Sequence, residues 1–176
     1  GHYFEPGGGN IIDADVARPA GQPGRDPVDE WTGMFGLGRI PSATTVEVVD
    51  DGQDSGEARV RVTATEAPLT LLTGSLENPG FVTDLGLTFT TDYVLRPDTP
   101  LLEVTTTVTA GDAPADIAVG DVLQGGLEMV DPWDPGVGLE APGDDARRLT
   151  GYLGRRNEGA WAIVPPPGQT ATARVR

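Results

Sequence analysis

The sequence predicts an all-β protein, an antiparallel β-sandwich with long Gly/Pro loops and one short helix. Three observations carry that prediction. Leu85, Leu87, Phe89, Tyr93 and Leu95 recur at every second position, with only Thr91 breaking the apolar row, which is the period-2 mark of a strand with one buried face. The 25 glycines and 16 prolines cluster between short apolar runs, as they do in chains of many strands and turns. No heptad, no βαβ alternation and no long helical period is visible.

The central element is a hairpin over Leu85–Thr109. Its first strand ends at Arg96-Pro-Asp-Thr-Pro100, where proline fixes φ and Asp98 is placed to close an Asx-type turn. Its second strand carries Leu102, Val104, Thr106 and Val108 on one face, with Thr105, Thr107 and Thr109 on the other. A second hairpin is expected from Thr45–Val49 and Ala58–Thr65, joined by Asp50-Asp-Gly-Gln-Asp-Ser-Gly56 with Asp-Gly as turn residues.

Around these two hairpins the chain reads as follows. Asn10–Val16 is a strand with Asp13 and Asp15 on one face, and Arg18–Asp29 is a loop. Pro27–Trp31 is the short helix, capped by Asp26 with proline at the first helical position. Trp31, Met34, Phe35 and Leu37 should lay that segment over an open end of the sheet. Leu69–Leu76 is a further strand, and Asn78-Pro-Gly80 turns the chain into the central hairpin. Ile117–Leu123 holds a short strand broken at Gly120-Asp121, and Asp131–Gly138 is a loop. Leu149–Leu153, Ala160–Val164 and Ala171–Arg176 supply the last strands.

The 176 residues make most simply one domain over 1–176, whole or as a fragment of a larger protein. A chain of this length buries roughly 70% of its unfolded surface and needs no staples. All 12 basic residues are arginine, and against 27 acids they leave a net charge of −15. Such a surface repels nucleic acid and anionic membranes, so neither is an expected partner. No run of 18 apolar residues exists for membrane insertion.

The residue types present also limit the chemistry. With no cysteine there is no thiolate nucleophile, no disulfide and no cysteine-ligated metal. The single histidine, His2, lies at the extreme N-terminus, so a Ser-His-Asp triad or a multi-histidine zinc site has nowhere to form. Paired carboxylates can hydrolyse glycosides without either residue, and Glu103, Asp121 and Glu128 are the acids best placed to face a cleft.

No cofactor is expected; calcium is the one cation the chain offers ligands for, at Asp50, Asp51, Asp54 and Glu57 in one loop. That loop lacks the EF-hand order, and a hairpin turn selects the same residues. Asp121, Trp133, Asp134 and Trp161 are the ligand-binding candidates: Trp133 in a Pro/Gly loop and Trp161 beside Pro165-Pro-Pro167 offer a sugar-stacking platform, or a plug for the end of the sandwich. Any functional surface is expected at that end.

The order of motifs also carries a likeness. A glycine-rich turn precedes Asn10-Ile-Ile-Asp13, followed by the Asp/Trp segment, Val48-Val-Asp-Asp-Gly52, Ala58-Arg-Val-Arg-Val62, Tyr93-Val-Leu-Arg-Pro97, Leu102-Glu-Val-Thr-Thr106, Gly120-Asp121 and Pro135-Gly-Val-Gly138. This resembles the galactose-mutarotase-like "supersandwich" domain of secreted multidomain bacterial proteins, sometimes found ahead of PHP-type metallohydrolase domains. The likeness spans roughly residues 8 to 168. True mutarotases use histidine and a carboxylate base, and no internal histidine is present here, so no catalytic residue carries over.

The resemblance implies a non-catalytic accessory or packing module of a secreted or cell-envelope protein, with neighbouring domains of the same polypeptide or a surface glycan as partners. Fold-level likeness is an analogy for function. Two other classes stand beside it: a carboxylate-dependent glycan-active enzyme, and a self-assembling structural surface protein.

Overall fold

In the computed structural model every regular element among the described residues is a strand. The residues described are 8–12, 14, 17–24, 28, 30–36, 38–69, 84–124, 131–133, 147–149, 152–156, 159–164 and 171–173. The strands are β1 (Glu30–Phe35), β2 (Arg39–Asp51), β3 (Ala58–Pro68), β4 (Thr88–Leu95), β5 (Leu102–Thr109), β6 (Val119–Gln124), β7 (Asp131–Trp133), β8 (Arg147–Leu149), β9 (Tyr152–Arg156), β10 (Gly159–Ile163) and β11 (Ala171–Ala173). The all-β, antiparallel class read from the alternation and turn chemistry is what the chain adopts.

The chain divides into two compact units, one of residues 1–10 and 32–122, the other of residues 11–31 and 123–176. The first is built on a four-stranded meander in the order β2-β3-β4-β5, and β1 pairs with β6. The second holds a β10-β9-β7 sheet and a β11-β8 pair.

Both expected hairpins are present. β2 and β3 run from Arg39↔Pro68 to Asp51↔Ala58, and β4 and β5 keep one unbroken register from Thr88↔Thr109 to Leu95↔Leu102. The β2–β3 turn is closed by its own acids: the Gly52 N–H donates to Asp50 Oδ1 at 2.9 Å, and the Gln53 N–H to Asp51 Oδ1 at 3.0 Å. Gly52, at φ 79°, sits in the left-handed region that glycine adopts without penalty.

β2 departs from a plain strand at two bulges, between Ala43 and Thr45 and between Val48 and Asp50. One extra residue reverses which face every later side chain meets. The first bulge therefore moves Val46 and Val48 onto the face of their partners Val62 and Val60 and sends Thr45 and Glu47 to the other.

The core sits on that apolar face, at the end where Ala43, Ala64, Phe89 and Val108 line up across the sheet. Phe35, Ala64, Leu87 and Phe89 form it, with Leu85, Val108, Ala115 and Ile117 packed around. The Phe35 and Phe89 rings lie 4.6 Å apart in a tilted contact. Further along the same face Thr91 is buried, its hydroxyl 3.0 Å from that of Thr106.

Gly9 crosses this face against β2 and β3. A Cβ there would meet Val62 Cγ1 at 2.6 Å and Ala43 Cβ at 2.8 Å, so glycine is required at this approach. Tyr93 Oη donates to the Gly9 carbonyl at 2.9 Å, and burial pushes the Tyr93 phenol up to about 12.

Several expectations need correction. The short helix over Pro27–Trp31 is not formed where it is described: Val28 bridges Ala14, and Glu30 and Trp31 open β1. Ile11 and Trp31 exchange backbone hydrogen bonds at 3.1 and 2.8 Å, so a tertiary strand partner overrides the local capping pattern. Ile11 and Ala14 make single bridges instead of a full strand.

β4 begins only at Thr88, because Gly86 turns left-handed at φ 64°. The Leu85 and Leu87 N–H groups donate instead to the two Glu66 carboxylate oxygens, at 2.9 and 2.8 Å. β6 runs through Gly120-Asp121 without a break, and Asp131–Trp133 is strand instead of loop. The stretch expected as one strand over Leu149–Leu153 belongs to two, β8 and β9. Leu69 lies just past β3, and the rest of the strand expected there, with Asn78–Gly80, falls outside the described residues.

Candidate functional surface

The feature that distinguishes this unit is the outer face of the β2–β5 sheet. Residues opposite one another in register share a face, so the outer face can be read in ranks. Ser42, Thr65, Thr88 and Thr109 form one rank, and Thr45, Thr63, Thr90 and Thr107 form the next. Each of the two ranks spans all four strands with hydroxyls and carries no charge. With strands about 4.8 Å apart and like-facing residues about 6.7 Å apart, the field is roughly 14 Å by 7 Å. Thr45, Thr63, Thr65, Thr88, Thr107 and Thr109 are exposed and Ser42 and Thr90 half-buried.

The local reason is plain. Threonine alternates with apolar residues in Thr63-Ala-Thr65, Thr88-Phe-Thr90 and Thr107-Val-Thr109. Its β-branched stem suits an extended backbone, and its hydroxyl suits the solvent side.

The other half of the same face is charged, and most of its charges are paired. Its ranks are Glu47, Arg61, Asp92, Thr105 and then Asp50, Arg59, Val94, Glu103. Arg61 Nε and Nη2 donate to the two Asp92 oxygens at 2.8 Å each, a bidentate pair across β3 and β4. That hydrogen-bonded guanidinium holds the Asp92 carboxyl below its ordinary range. Glu57 bridges Arg59 at 2.6 Å and Arg96 at 3.1 Å, and Arg96 also holds Glu103. Val94, on this outer face, is nonetheless buried.

These pairings decide what the sequence candidates do. Asp50 and Asp51 accept turn N–H groups, and the Gly52 N–H holds the Asp50 carboxyl below its ordinary range. Glu57 neutralises two arginines. Among the described residues no three potential ligands converge on a metal position.

Glu103 is tied to Arg96 at the β5 edge, while Asp121 is exposed on β6, in a different sheet. Glu128 and Asp134 fall outside the described residues. Trp133 ends β7 opposite Leu153, and Trp161 lies in β10 opposite Gly154, in neighbouring ranks of one sheet.

The hydroxyl field was not among the sequence candidates. The three Thr-x-Thr runs are its signal, but only the hairpin registers align them. Comparison with family models, with curated proteins and with solved structures finds no match.

Proposed function

We propose that the protein is a non-catalytic accessory or packing module of a secreted or cell-envelope protein. It works through the hydroxyl field of the β2–β5 sheet. The observation that carries this reading is an uncharged, exposed patch two ranks deep and four strands wide, in a chain of net charge −15. A neutral, hydroxyl-bearing partner matches such a patch without desolvating an ion. A surface glycan or a polar face of a neighbouring domain has that chemistry. The likeness to galactose-mutarotase-like accessory domains points to the same kind of module.

The test is a glycan array and sedimentation with insoluble neutral polysaccharides, using the intact chain and a Thr63→Glu/Thr90→Glu variant. Retention of the wild type on a neutral glycan, lost in the variant, supports glycan contact through this face. Silence across neutral and acidic glycans leaves domain packing as the role. Retention that the variant leaves unchanged rejects the hydroxyl field as the contact surface.

A further inference from the structure

The β2–β5 sheet has two edges, and they are built differently. β2 carries Pro41, two bulges and the acids Glu47, Asp50 and Asp51, which are the devices by which sheets block edge-to-edge pairing. β5 carries none of them except one charge. It has eight residues, LEVTTTVT, with no proline, and it keeps register with β4 at every position. Among the described residues nothing pairs with its outer side. Exposed Leu101 and Leu102 stand at its start, and Leu102 faces the also exposed Leu95 of β4.

We propose that β5 is an interaction edge and that its partner is β5 of a second copy. The two strands would pair antiparallel about a two-fold axis, joining two four-stranded sheets into one. Matching faces centres the register on a residue, and the longest such pairings of the eight-residue strand are those centred on Thr105 and on Thr106. In the first, Glu103 faces Thr107 and Leu102 faces Val108; in the second, Glu103 faces Thr109. The single charge of the strand therefore never meets its own copy. The two Glu103 side chains stand roughly 14 Å or more apart along the strand, beyond the screening length of about 8 Å at physiological ionic strength. The exposed Leu102 gains cover in the first register. Each copy still carries net charge −15, so the association strengthens as salt rises. This inference concerns the sheet edge and stands whatever the hydroxyl face contacts.

Sedimentation equilibrium of the intact chain, from low to high micromolar and at two salt concentrations, tests it. The wild type should approach a dimer, more readily at high salt. Thr105→Glu/Thr107→Glu places like charges opposite one another in either register and should weaken association roughly tenfold or more. Thr63→Glu/Thr65→Glu adds the same charge to the central strand β3 and should leave association close to that of the wild type. A wild type that stays monomeric throughout, or two variants that weaken it equally, overturns the proposal. Should the β5 variant not fold, hydrogen exchange on the wild type decides. Protection that rises with concentration at β5 but not at β2 supports the edge, and equal behaviour of the two strands overturns it.

Discussion

The two halves of the apolar face of the β2–β5 sheet share one alternation and meet opposite fates. At one end Ala64 and Phe89 are buried, Phe89 only 1% exposed, under Phe35, Leu87 and Ile117. At the other, Val48, Leu95 and Leu102 occupy the same face, yet Val48 is 65% exposed and Leu95 52%. Alternation thus reports which face a side chain joins, while burial depends on what the rest of the chain brings over it. That contrast gives each half a different expected response to mutation.

The largest expected effect lies in the covered half. Phe89→Ala removes a fully buried ring and its contact with Phe35, and should cost about 3–5 kcal/mol in denaturant unfolding. Val48→Ala, toward the far end of β2 and mostly exposed, should stay within about 0.5 kcal/mol of wild type. Comparable losses at both sites would mean that the exposed half is covered in solution, and would erase the distinction between the halves.

The second effect concerns how the covered half is closed. The Glu66 carboxylate takes the Leu85 and Leu87 N–H groups where the β ladder has stopped. Glu66→Ala strands both donors and should cost about 2–3 kcal/mol. Glu66→Gln keeps one acceptor and should recover about half of that loss. An alanine variant as stable as the wild type would show that the clamp contributes nothing.

Those residues also mark where sequence reading succeeds and where it stops. Both hairpins were legible because β-branched and apolar residues alternate in them and Asp-Gly or Pro supplies the turns. The exposed fate of Leu95 was not legible, since nothing local to the hairpin says what covers it. Nor was the role of Glu66, which replaces a missing ladder with a side chain 19 and 21 residues away from its donors. The helix expected at Pro27–Trp31 failed for a related reason: good capping residues lost to strand pairing with Ile11. On the outer face the threonines were visible singly. Their union into two ranks depends on registers and on the bulge that re-phases β2.

Tyr93 shares its rank with the exposed Val48 but is itself half-buried, and its effect should be intermediate. Its hydroxyl secures the Gly9 carbonyl, so Tyr93→Phe should cost about 1 kcal/mol near neutral pH. The phenol is pushed up to about 12 in the folded protein by burial, against about 10 in the unfolded chain. The folded state therefore holds this proton more tightly. Its contribution is intact below pH 10 and drains as pH rises from 10 to 12, by roughly 1.4 kcal/mol per pH unit. The Phe variant should lack that alkaline decline. An unchanged alkaline limb would place the titrating group elsewhere.

The smallest effect is expected where the sheet looks most strongly bonded. Arg61 and Asp92 form a bidentate pair on the outer face, but their side chains are 40% and 23% exposed, and water competes for both ions. A double-mutant cycle with Arg61→Gln and Asp92→Asn should return a coupling smaller than any effect above, and smaller still in high salt. Its sign follows from the lowered folded value of Asp92. The pair contributes fully above about pH 4, where the unfolded carboxyl is already ionised, and is lost as pH falls through the folded value. A coupling as large as the Glu66 clamp would instead mean that the charged half of this face is shielded from solvent, which is what a partner laid across it would do.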